Sequence, residues 1–536
     1  MKVRADIIRT YQTLHHWTGI IAGFVLFIGF YAGSLTMFKP AFDQWTTPSQ
    51  KTFTTDVSID PQRLLNIVLA SSVTDIKTIE LNLERGNNLM APISWSESGV
   101  KRGLDTNQQR YIGTFDEQGA LVKRDVKPTV LAELIDLLHR TAGIPGTVGH
   151  DHLGVLIMGA AALLYFLALV SGVIFLLPTL VKSFLALRDN KGASRFWLDS
   201  HNIIGLSSLP FHLMISWTVV VFAFHDEVYG AMQQVIYGDK PLFEMGVSDK
   251  REYGNDDLLN VESLRAVAIN LAPQAKVTAM YFDNLSTPRA SVRLDLQIDN
   301  EVMRGPFADI LYLNPYSGDI VFSTVATESD LVWAESVATF FAMHFGSYGG
   351  NTVRWIYFAL GLLGAILFYS GNLLWIERRR IKQNKRQPKP LADIKQTNVA
   401  KQMAAATVGI CLGSIAALVI TMLLGKWATN ILDNVNQYYI ASYYALFVSF
   451  VIYTFWRGAS FGAIFLTKVI ALGLLLMPLT SIIGCFFPND MLWLAPAWQA
   501  WVIDIMALIF SALFLFMAKK IKHRAIYGEP DSVWAY

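Results

Sequence analysis

Eight long apolar runs dominate the pattern of hydrophobic and polar positions along the chain. Each run is close to the roughly 20 residues that a helix needs to cross the hydrocarbon core of a bilayer. The pattern therefore predicts transmembrane helices near residues 17–38, 153–177, 202–224, 352–376, 403–424, 437–456, 465–486 and 496–517. The first run is longer than the apolar region of a signal peptide, which is usually about 7–15 residues, so we interpret it as a retained helix.

Two long segments, about 39–150 and 225–350, interrupt the apolar runs and share one pattern. Each has a helix-like stretch, then an alternating strand-like stretch, then two strands around a glycine-containing turn, which is a hairpin signal. These elements are predicted at Pro61–Leu69, Thr78–Leu83 and Arg110–Val122 in the first segment, and at Val261–Asn270, Ala290–Leu296 and Asp309–Val321 in the second. The pattern predicts a small α+β domain in each segment.

The fold class that follows is an all-α polytopic membrane protein with about eight transmembrane helices, two small α+β domains outside the bilayer and an internal duplication of a helix–domain–helix unit. The predicted units are the N-terminus and first helix (1–38), the first external domain (39–138), the second and third helices with their loop (139–224), the second external domain (225–343), the fourth helix with a basic loop (344–400) and a C-terminal four-helix extension (401–536). Because each copy of the repeat has two spans, both copies insert with the same orientation. Equivalent residues then face each other across an axis along the membrane normal.

The composition agrees with a membrane protein, since 53% of the 536 residues are hydrophobic and only 16% are charged. The mean hydropathy is +0.37. A net charge of +2 indicates no nucleic-acid partner. The two cysteines, Cys411 and Cys485, cannot supply the four thiolates of a simple iron–sulfur cluster.

Lysine and arginine are concentrated at one end of the predicted helices. They precede the first helix, fill the loop between the second and third, and follow the fourth and the eighth, in the clusters Lys2–Arg9, Lys182–Arg195, Arg378–Lys389 and Lys519–Arg524. By the positive-inside rule these clusters lie in the cytoplasm. We therefore expect both termini in the cytoplasm and both long segments on the opposite side of the membrane.

Four histidines occupy matching places in the two copies of the repeat. His15 and His201 each begin an apolar run, and His139 and His344 each precede the next one. The duplication predicts that His15 faces His201 near one membrane surface and that His139 faces His344 near the other. Two facing imidazoles in a helix bundle are suitable axial ligands for haem iron. The chain has no Cys-x-x-Cys-His motif, so we predict two non-covalent haem b groups bound by these four histidines.

Neighbouring histidines leave two alternatives open. His16 lies about 100° from His15 around a helix, so both cannot approach one iron in the same way. We select His15 because it aligns with His201. His152 could replace His139 as a ligand or bind another metal ion, although a polar helix cap is an equally good interpretation.

Two further side chains are candidates for contacts to the cofactor. His212 lies inside the third predicted helix, where ionisable groups are uncommon and often functional. It could hydrogen-bond a haem propionate or act as an alternative ligand. Arg354 begins the fourth helix and could pair with a propionate, or extend to the membrane interface. In the extension, Asp504 lies within the eighth helix and the sequence shows no partner for it.

The segments around the four histidines also resemble a known family. They are Leu14–Gly19, Leu138–Arg140, His201 with Gly205, His344–Gly346 and Ser370–Trp375. Over roughly residues 7–380 the chain resembles the PepSY-associated transmembrane-helix family, sometimes described as iron-regulated membrane proteins, which includes FoxB-type ferric-siderophore reductases. The resemblance implies a four-helix haem-binding core in a bacterial inner membrane and PepSY-like domains in the periplasm. It also implies that electrons flow outward to a ferric siderophore or another Fe(III) chelate.

The histidines and the resemblance together predict an oxidoreductase of the ferric-siderophore reductase type. No dinucleotide-binding fingerprint is visible in the sequence, so the electron donor is expected to be a separate reductase or a quinol. Two other functions stay open. The external domains could bind a partner or regulate a peptidase, with the helices as an anchor, or the last four helices could transport iron or its chelate.

Overall fold

The computed structural model describes most of the chain. The described ranges are 4–46, 59–71, 76–84, 91–99, 104–149, 151–180, 187–188, 192–232, 235, 253–254, 257–298, 302–325, 331–380, 396–429, 431–432, 434–487 and 498–536. Of the basic residues used above for topology, four groups lie outside these ranges: Lys2, Lys182, Lys191 and all those in 381–389.

Helices make up most of the described residues. They are α1 (Ala5–Thr36), α2 (Lys39–Thr46), α3 (Pro61–Ser71), α4 (Leu131–Thr141), α5 (Leu153–Leu176), α6 (Ala193–Ser207), α7 (Leu209–Met232), α8 (Val261–Leu271), α9 (Leu331–Phe345), α10 (Gly350–Arg378), α11 (Asn398–Ala406), α12 (Gly413–Ala428), α13 (Val435–Arg457), α14 (Ala459–Phe486) and α15 (Trp498–Tyr527). A turn of π-helix, Thr407–Leu412, joins α11 to α12.

Among the described residues, eight helices are long and apolar enough to cross a bilayer. They are Ala5–Thr36, Leu153–Leu176, Leu209–Glu227, Gly350–Arg378, Asn398–Ala428, Val435–Arg457, Ala459–Phe486 and Ala500–Tyr527. Each overlaps one of the eight apolar runs, so the prediction of a multi-pass membrane protein is confirmed.

The third apolar run differs from the prediction because it contains the end of one helix and the start of another. Ser208 separates α6 from α7, and Pro210 lies in the first turn of α7, where its missing N–H removes no helical hydrogen bond. The backbone N–H of His212 donates to the carbonyl of Ser208 at 3.0 Å, so the chain continues directly through the break. His201 therefore lies in α6 and His212 in α7.

A four-helix core contains both copies of the repeat. The first helix, α1, packs along α5 and α10, while α5 packs against α7 and α6 packs against α10. The helices from α11 to α15 pack mainly on one another beside this core. The extension therefore lies beside the four-helix core and shares one hydrophobic cluster with it.

Two short helices lie where the core meets the external segments, and the sequence pattern did not predict them as separate helices. In α4, Leu131, Leu134 and Leu138 are buried and recur on one helical face. This face packs α4 against α1 and α5, and α9 packs against α7. His139 lies in α4 and His344 lies in α9, so short helices rather than the long spans carry these two residues.

Strands from the two external segments form one antiparallel sheet, which we call the joint sheet. Its strands are β1 (Thr78–Asn82), β2 (Ile93–Ser96), β3 (Arg110–Phe115), β4 (Leu121–Val126), β7 (Lys276–Asp283), β8 (Ser291–Gln297), β9 (Asp309–Leu313) and β10 (Ile320–Ser323), and a small two-stranded pair consists of β5 (Thr147–Val148) and β6 (Asp151–His152). The strand order of the joint sheet is β10-β9-β8-β7-β1-β2-β3-β4. β1 pairs with β7 in a register that sets Ile79 opposite Phe282, so the two external segments share one hydrophobic core with α3 and α8.

The predicted hairpins are present as β3–β4 and β9–β10, at the two edges of the joint sheet. Gly119 and Gly318 lie in the two turns with φ of 76° and 78°, a conformation that glycine adopts without steric cost. The two edges therefore have the same construction, as expected for a duplicated unit.

We call the end of the helix bundle that carries the joint sheet the sheet side. We call the opposite end the basic side, because it carries Arg4, Arg9, Arg378, Arg379 and Lys519–Arg524.

A buried polar cluster on the sheet side joins the core to the extension. Trp45 in α2 donates from Nε1 to Asp504 Oδ1 at 3.1 Å. Lys426 Nζ lies 3.9 Å from the centre of the Trp45 ring and 3.0 Å from Ser481 Oγ. The structure thus supplies the partner of Asp504 that the sequence did not show.

Candidate functional site

His15 and His201 form the basic-side pair. Their ring centres are 6.2 Å apart. His15 Nδ1 lies 2.7 Å from the carbonyl oxygen of Ala168 in α5, and His201 Nδ1 lies 3.0 Å from Ser370 Oγ in α10. The duplication argument predicted this juxtaposition, and the structure brings the two rings together.

His139 and His344 form the sheet-side pair. Their ring centres are also 6.2 Å apart. His139 Nδ1 lies 2.8 Å from the carbonyl oxygen of Gly29 in α1, and His344 Nδ1 lies 2.9 Å from Thr218 Oγ1 in α7. The two pairs therefore have the same ring spacing. In both pairs, Nδ1 of one ring contacts a backbone carbonyl and Nδ1 of the other contacts a hydroxyl.

The hydrogen bonds of the four Nδ1 atoms determine which nitrogen of each ring is free to bind a metal. A carbonyl oxygen only accepts, so Nδ1 of His15 and of His139 must be the donor. Ser370 Oγ already donates to the carbonyl of Leu367, and Thr218 Oγ1 donates to that of Met214, so both hydroxyls accept from imidazole. All four rings consequently carry the proton on Nδ1 and leave the lone pair on Nε2. Metal-binding histidines are commonly oriented in this way.

Each histidine is anchored by the other long helix of its own repeat. In the first copy α5 anchors His15 and α1 anchors His139, and in the second copy α10 anchors His201 and α7 anchors His344. The facing partner always comes from the other copy. Each copy is therefore half of both sites, and neither site is complete in one copy.

Glycines lie against three of the four rings. An added Cβ at Gly33 would lie 2.5 Å from His139 Nδ1, and one at Gly172 would lie 2.9 Å from His15 Nδ1. At Gly371 the nearest atom of His201 would be 3.5 Å away, which is an ordinary contact. The close approach of these rings to helix backbones explains why glycine recurs in the spans.

The ring spacing fits one metal ion between the members of each pair. An imidazole nitrogen binds a transition metal at about 2 Å and lies roughly 1 Å from its own ring centre, so two imidazoles on opposite sides of one ion have centres about 6 Å apart. In the part of the chain that the structure describes, no group of three or more His, Cys, Asp or Glu side chains is placed to hold a metal ion. Two ligands are too few for a structural zinc site, which usually has four, but they are enough for haem, whose iron needs only axial ligands from the protein.

A cavity between the helices adjoins the basic-side pair, and two arginines lie on its rim. Arg378 Nη1 lies 2.8 Å from His16 Nε2. The guanidinium of Arg379 stacks on the Trp375 ring, with its carbon 3.8 Å from the ring centre. His15, His16, Trp375 and both arginines all line the cavity. Sequence reasoning used these arginines only for topology, although a basic pair at the end of a histidine-bearing helix bundle was a usable signal.

The sheet-side pair is enclosed by aromatic rings and by an external loop. The ring of Phe222 lies 4.8 Å from that of His344. In the 302–308 loop, the backbone N–H of Met303 donates to the carbonyl of Ser347, and Ser347 Oγ donates to the carbonyl of Met303 at 2.6 Å. The guanidinium of Arg304 lies over the Phe341 ring at 4.8 Å. The loop that connects β8 to β9 is thereby attached next to α9, the helix that carries His344.

The structure pairs neither alternative ligand, His16 or His152, with a histidine of the other copy. His16 contacts Arg378, as described above, and it is His15 that faces His201. His152 pairs with Thr147 in the small two-stranded pair and immediately precedes α5, while His139 faces His344. Arg354 Nη2 lies 3.4 Å from the carbonyl oxygen of Pro306, in the external loop.

His212 lies in the middle of the core and is fully buried. Its ring contacts Phe30 and Tyr165, with centres 5.5 Å and 5.9 Å away. Within the described part of the chain, neither His212 nitrogen has a hydrogen-bond partner, and the same holds for the buried Tyr165 hydroxyl. Tyr165 also lines the basic-side cavity, so a polar pair extends from that cavity toward the centre of the core.

The sequence pattern of the family described as PepSY-associated TM region matches residues 12–378. This range contains all four paired histidines and ends at Arg378, one of the two arginines on the cavity rim. It also covers more than half of the chain. No curated protein matches this chain.

Proposed function

Because the chain belongs to the PepSY-associated transmembrane family, we propose that it is a di-haem b electron-transfer protein that reduces an Fe(III) chelate across the membrane. The observation that carries the proposal is the pair of histidine sites, each with ring centres 6.2 Å apart and with Nε2 left free on both rings. A helix anchor for external domains would not need two such sites.

The residues have distinct tasks in this proposal. His15 and His201 would hold one haem, and His139 and His344 would hold the other. A haem iron held by two imidazoles would supply one-electron transfer. The carbonyls of Ala168 and Gly29 and the hydroxyls of Ser370 and Thr218 orient the four rings, and outer contacts of this kind are typical of metal sites.

The orientation of the protein follows from charge. Arginine and lysine cluster on the basic side, which we assign to the cytoplasm of a bacterial inner membrane by the positive-inside rule. The joint sheet then lies in the periplasm. Gly29 follows His15 by 14 residues in α1, about 21 Å along a helix axis, so the two pairs lie near opposite membrane surfaces.

Electrons enter from a donor on the basic side, for which a quinol or a separate reductase is suitable. They would leave one at a time to Fe(III) on the sheet side. One quinol, oxidised to the quinone with release of two protons, would therefore reduce two ferric ions to ferrous ions. We favour a ferric siderophore or a related chelate because reduction weakens the hold of hard oxygen ligands on iron.

The first test is a reduced-minus-oxidised visible spectrum of the purified protein, with haem counted as the pyridine haemochrome. We expect about two b-type haems per chain. His201→Ala and His344→Ala should each remove one haem and keep the other, and the two difference spectra should not be identical. His225→Ala is the control, since this exposed histidine contacts Asp226 and belongs to neither pair.

A wild-type protein without haem, produced with adequate haem supply, would overturn the proposal. Retention of both haems in every paired-histidine variant would overturn the ligand assignment. The acceptor is tested with the dithionite-reduced protein. Ferric chelates should reoxidise it, and the amount of protein reoxidised should be proportional to the amount of Fe(II) formed, as measured by a ferrozine assay.

A further inference from the structure

We infer that Arg378 and Arg379 bind the two carboxylate groups of the basic-side haem. We also infer that the segment 529–536 keeps both arginines directed toward the cavity, because it binds the residues on either side of them. The inference rests on the proposed function. It gives a role to a segment that lies outside the family match, and it adds two binding residues to the four histidines.

The first observation is that both arginines have neutral neighbours at the cavity rim. Arg378 contacts the His16 imidazole, and Arg379 stacks on Trp375. In the described part of the chain neither guanidinium has a carboxylate within ion-pair distance. Burial and the neighbouring charge of Arg378 lower the pKa of Arg379, so a bound anion would relieve a repulsion between like charges.

The second observation concerns Glu377, the acidic residue next to them in the chain. Its carboxylate is buried away from the cavity, where Oε1 accepts from Trp534 Nε1 at 2.9 Å and from Arg524 Nη2 at 2.5 Å. These two donors prevent the nearest carboxylate from neutralising the arginines. The donors belong to α15 and to the segment that follows it.

The third observation is that the same segment also binds Arg380, which follows the two arginines in the chain. Arg380 forms ion pairs with Glu529 and Asp531. The backbone N–H of Tyr536 donates to the carbonyl of Ala525 at 3.1 Å, which folds the segment back along α15. The Tyr536 ring packs against Phe461 in α14.

The end of α10 is therefore fixed on both flanks of the two arginines. Glu377 and Arg380 face the segment and α15, while Arg378 and Arg379 face the cavity. Successive helical residues are about 100° apart. The contacts of Glu377 and Arg380 therefore fix the direction in which the side chains of the two residues between them extend. Two guanidiniums beside a paired-histidine site match the two propionate groups of haem b, since arginine binds carboxylates with charge-assisted hydrogen bonds.

The test compares Arg378→Gln/Arg379→Gln with wild type, with Arg9→Gln as the control for loss of an exposed basic-side charge. Two quantities are measured: the midpoint potential of each haem in a redox titration, and the rate of haem transfer to excess apomyoglobin. We expect the potential of one haem to fall and that haem to leave at least about 10–100-fold faster, because one charge-assisted hydrogen bond is worth about 1.5–3 kcal/mol. The haem bound by His139 and His344 should be unchanged and serves as an internal reference.

The role of the segment is tested by releasing Glu377. Trp534→Phe/Arg524→Gln removes both donors to its carboxylate, and we expect the same shift because Glu377 then pairs with the rim arginines. Adding Glu377→Gln should restore the wild-type potential, which a general loss of folding would not allow.

Unchanged potential and haem transfer in Arg378→Gln/Arg379→Gln would overturn the inference while leaving a di-haem protein intact. Failure of Glu377→Gln to restore the potential would overturn the role of the segment. Absence of haem from the wild type would overturn the proposed function and this inference together.

Discussion

The basic-side and sheet-side histidine pairs have equal ring spacing, but their surroundings differ. His15 and His201 lie in helices α1 and α6 and adjoin a cavity with arginines on its rim. His139 and His344 lie in short helices beneath the 302–308 loop and the joint sheet. The two copies thus give the same ring spacing, while one pair adjoins a cavity lined by arginines and the other lies near the 302–308 loop.

This difference is compatible with the electron path that we propose. A cavity with cationic residues can receive a charged cofactor edge or a donor. A site under a folded domain can be reached by an acceptor only through that domain. We therefore expect changes in the helix packing to affect the two sites unequally.

The largest effect is expected from Gly33→Ala. The new methyl group would lie 2.5 Å from His139 Nδ1, in the space that the ring must occupy to contact Gly29. The variant should lose the sheet-side haem and keep the basic-side haem, so the pyridine haemochrome should give about one haem per chain. Gly371→Ala is the matched control, since its methyl group would be 3.5 Å from His201. Equal haem content in the two variants would contradict the prediction.

A smaller effect is expected from removing the hydroxyls that orient the second-copy histidines. Thr218→Val should weaken haem binding at His344, and Ser370→Ala should weaken it at His201. Loss of such an outer contact typically reduces metal affinity about 10–100-fold. The haem-transfer rate of each variant should rise for one haem only, and for a different haem in each. A change at the same haem in both variants would show that the assignment of contacts is wrong.

A still smaller effect, on stability alone, is expected at the joint between core and extension. Trp45→Phe removes the hydrogen bond to Asp504 and leaves that buried carboxylate without one donor, which costs about 1–3 kcal/mol. The melting temperature should fall while both haem spectra stay unchanged. Trp456→Phe, at an exposed position in α13, should leave it unaltered. Loss of a haem signal in Trp45→Phe would mean that the extension shapes the histidine sites directly.

The smallest effect is expected in the joint sheet and depends on pH. Burial raises the pKa of the Asp283 carboxyl above its usual value of 3.8, against the opposing charges of Arg293 and Arg110. The folded state then holds its proton more tightly than the unfolded state, so stability is lost as pH rises from the unfolded to the folded pKa. Asp283→Asn should therefore raise the melting temperature at pH 7, and the gain should disappear near pH 3. A gain that is the same at both pH values would contradict this cause.

The elements themselves were predictable from sequence because their signals are local. The apolar runs, the helix at Pro61, the helix at Val261 and both edge hairpins are present close to the predicted positions. The amphipathic α4 was missed, although Leu131, Leu134 and Leu138 recur at helical spacing. This amphipathic segment is short and only partly apolar, so it stands out less than the long apolar runs.

The site was predictable in part. Duplication led to the correct juxtaposition of four histidines, since equivalent positions meet across the repeat axis. The roles of Ser370 and Thr218 were not predictable, because each contacts a histidine more than 100 residues away in the chain. Arg378 was visible only as one charge in a basic cluster.

By itself, the sequence determined the number of spans, the repeat and the residues that can face each other. Apolar runs and duplicated segments are contiguous in the chain, so the sequence shows them without knowledge of the fold. Only the tertiary structure decided that β1 pairs with β7 to merge two external segments into one sheet. It also decided that Trp45 and Lys426 surround Asp504, and that Trp534 holds Glu377 away from the cavity. These contacts join residues far apart in the chain, and their energies depend on burial and distance, which no local pattern specifies.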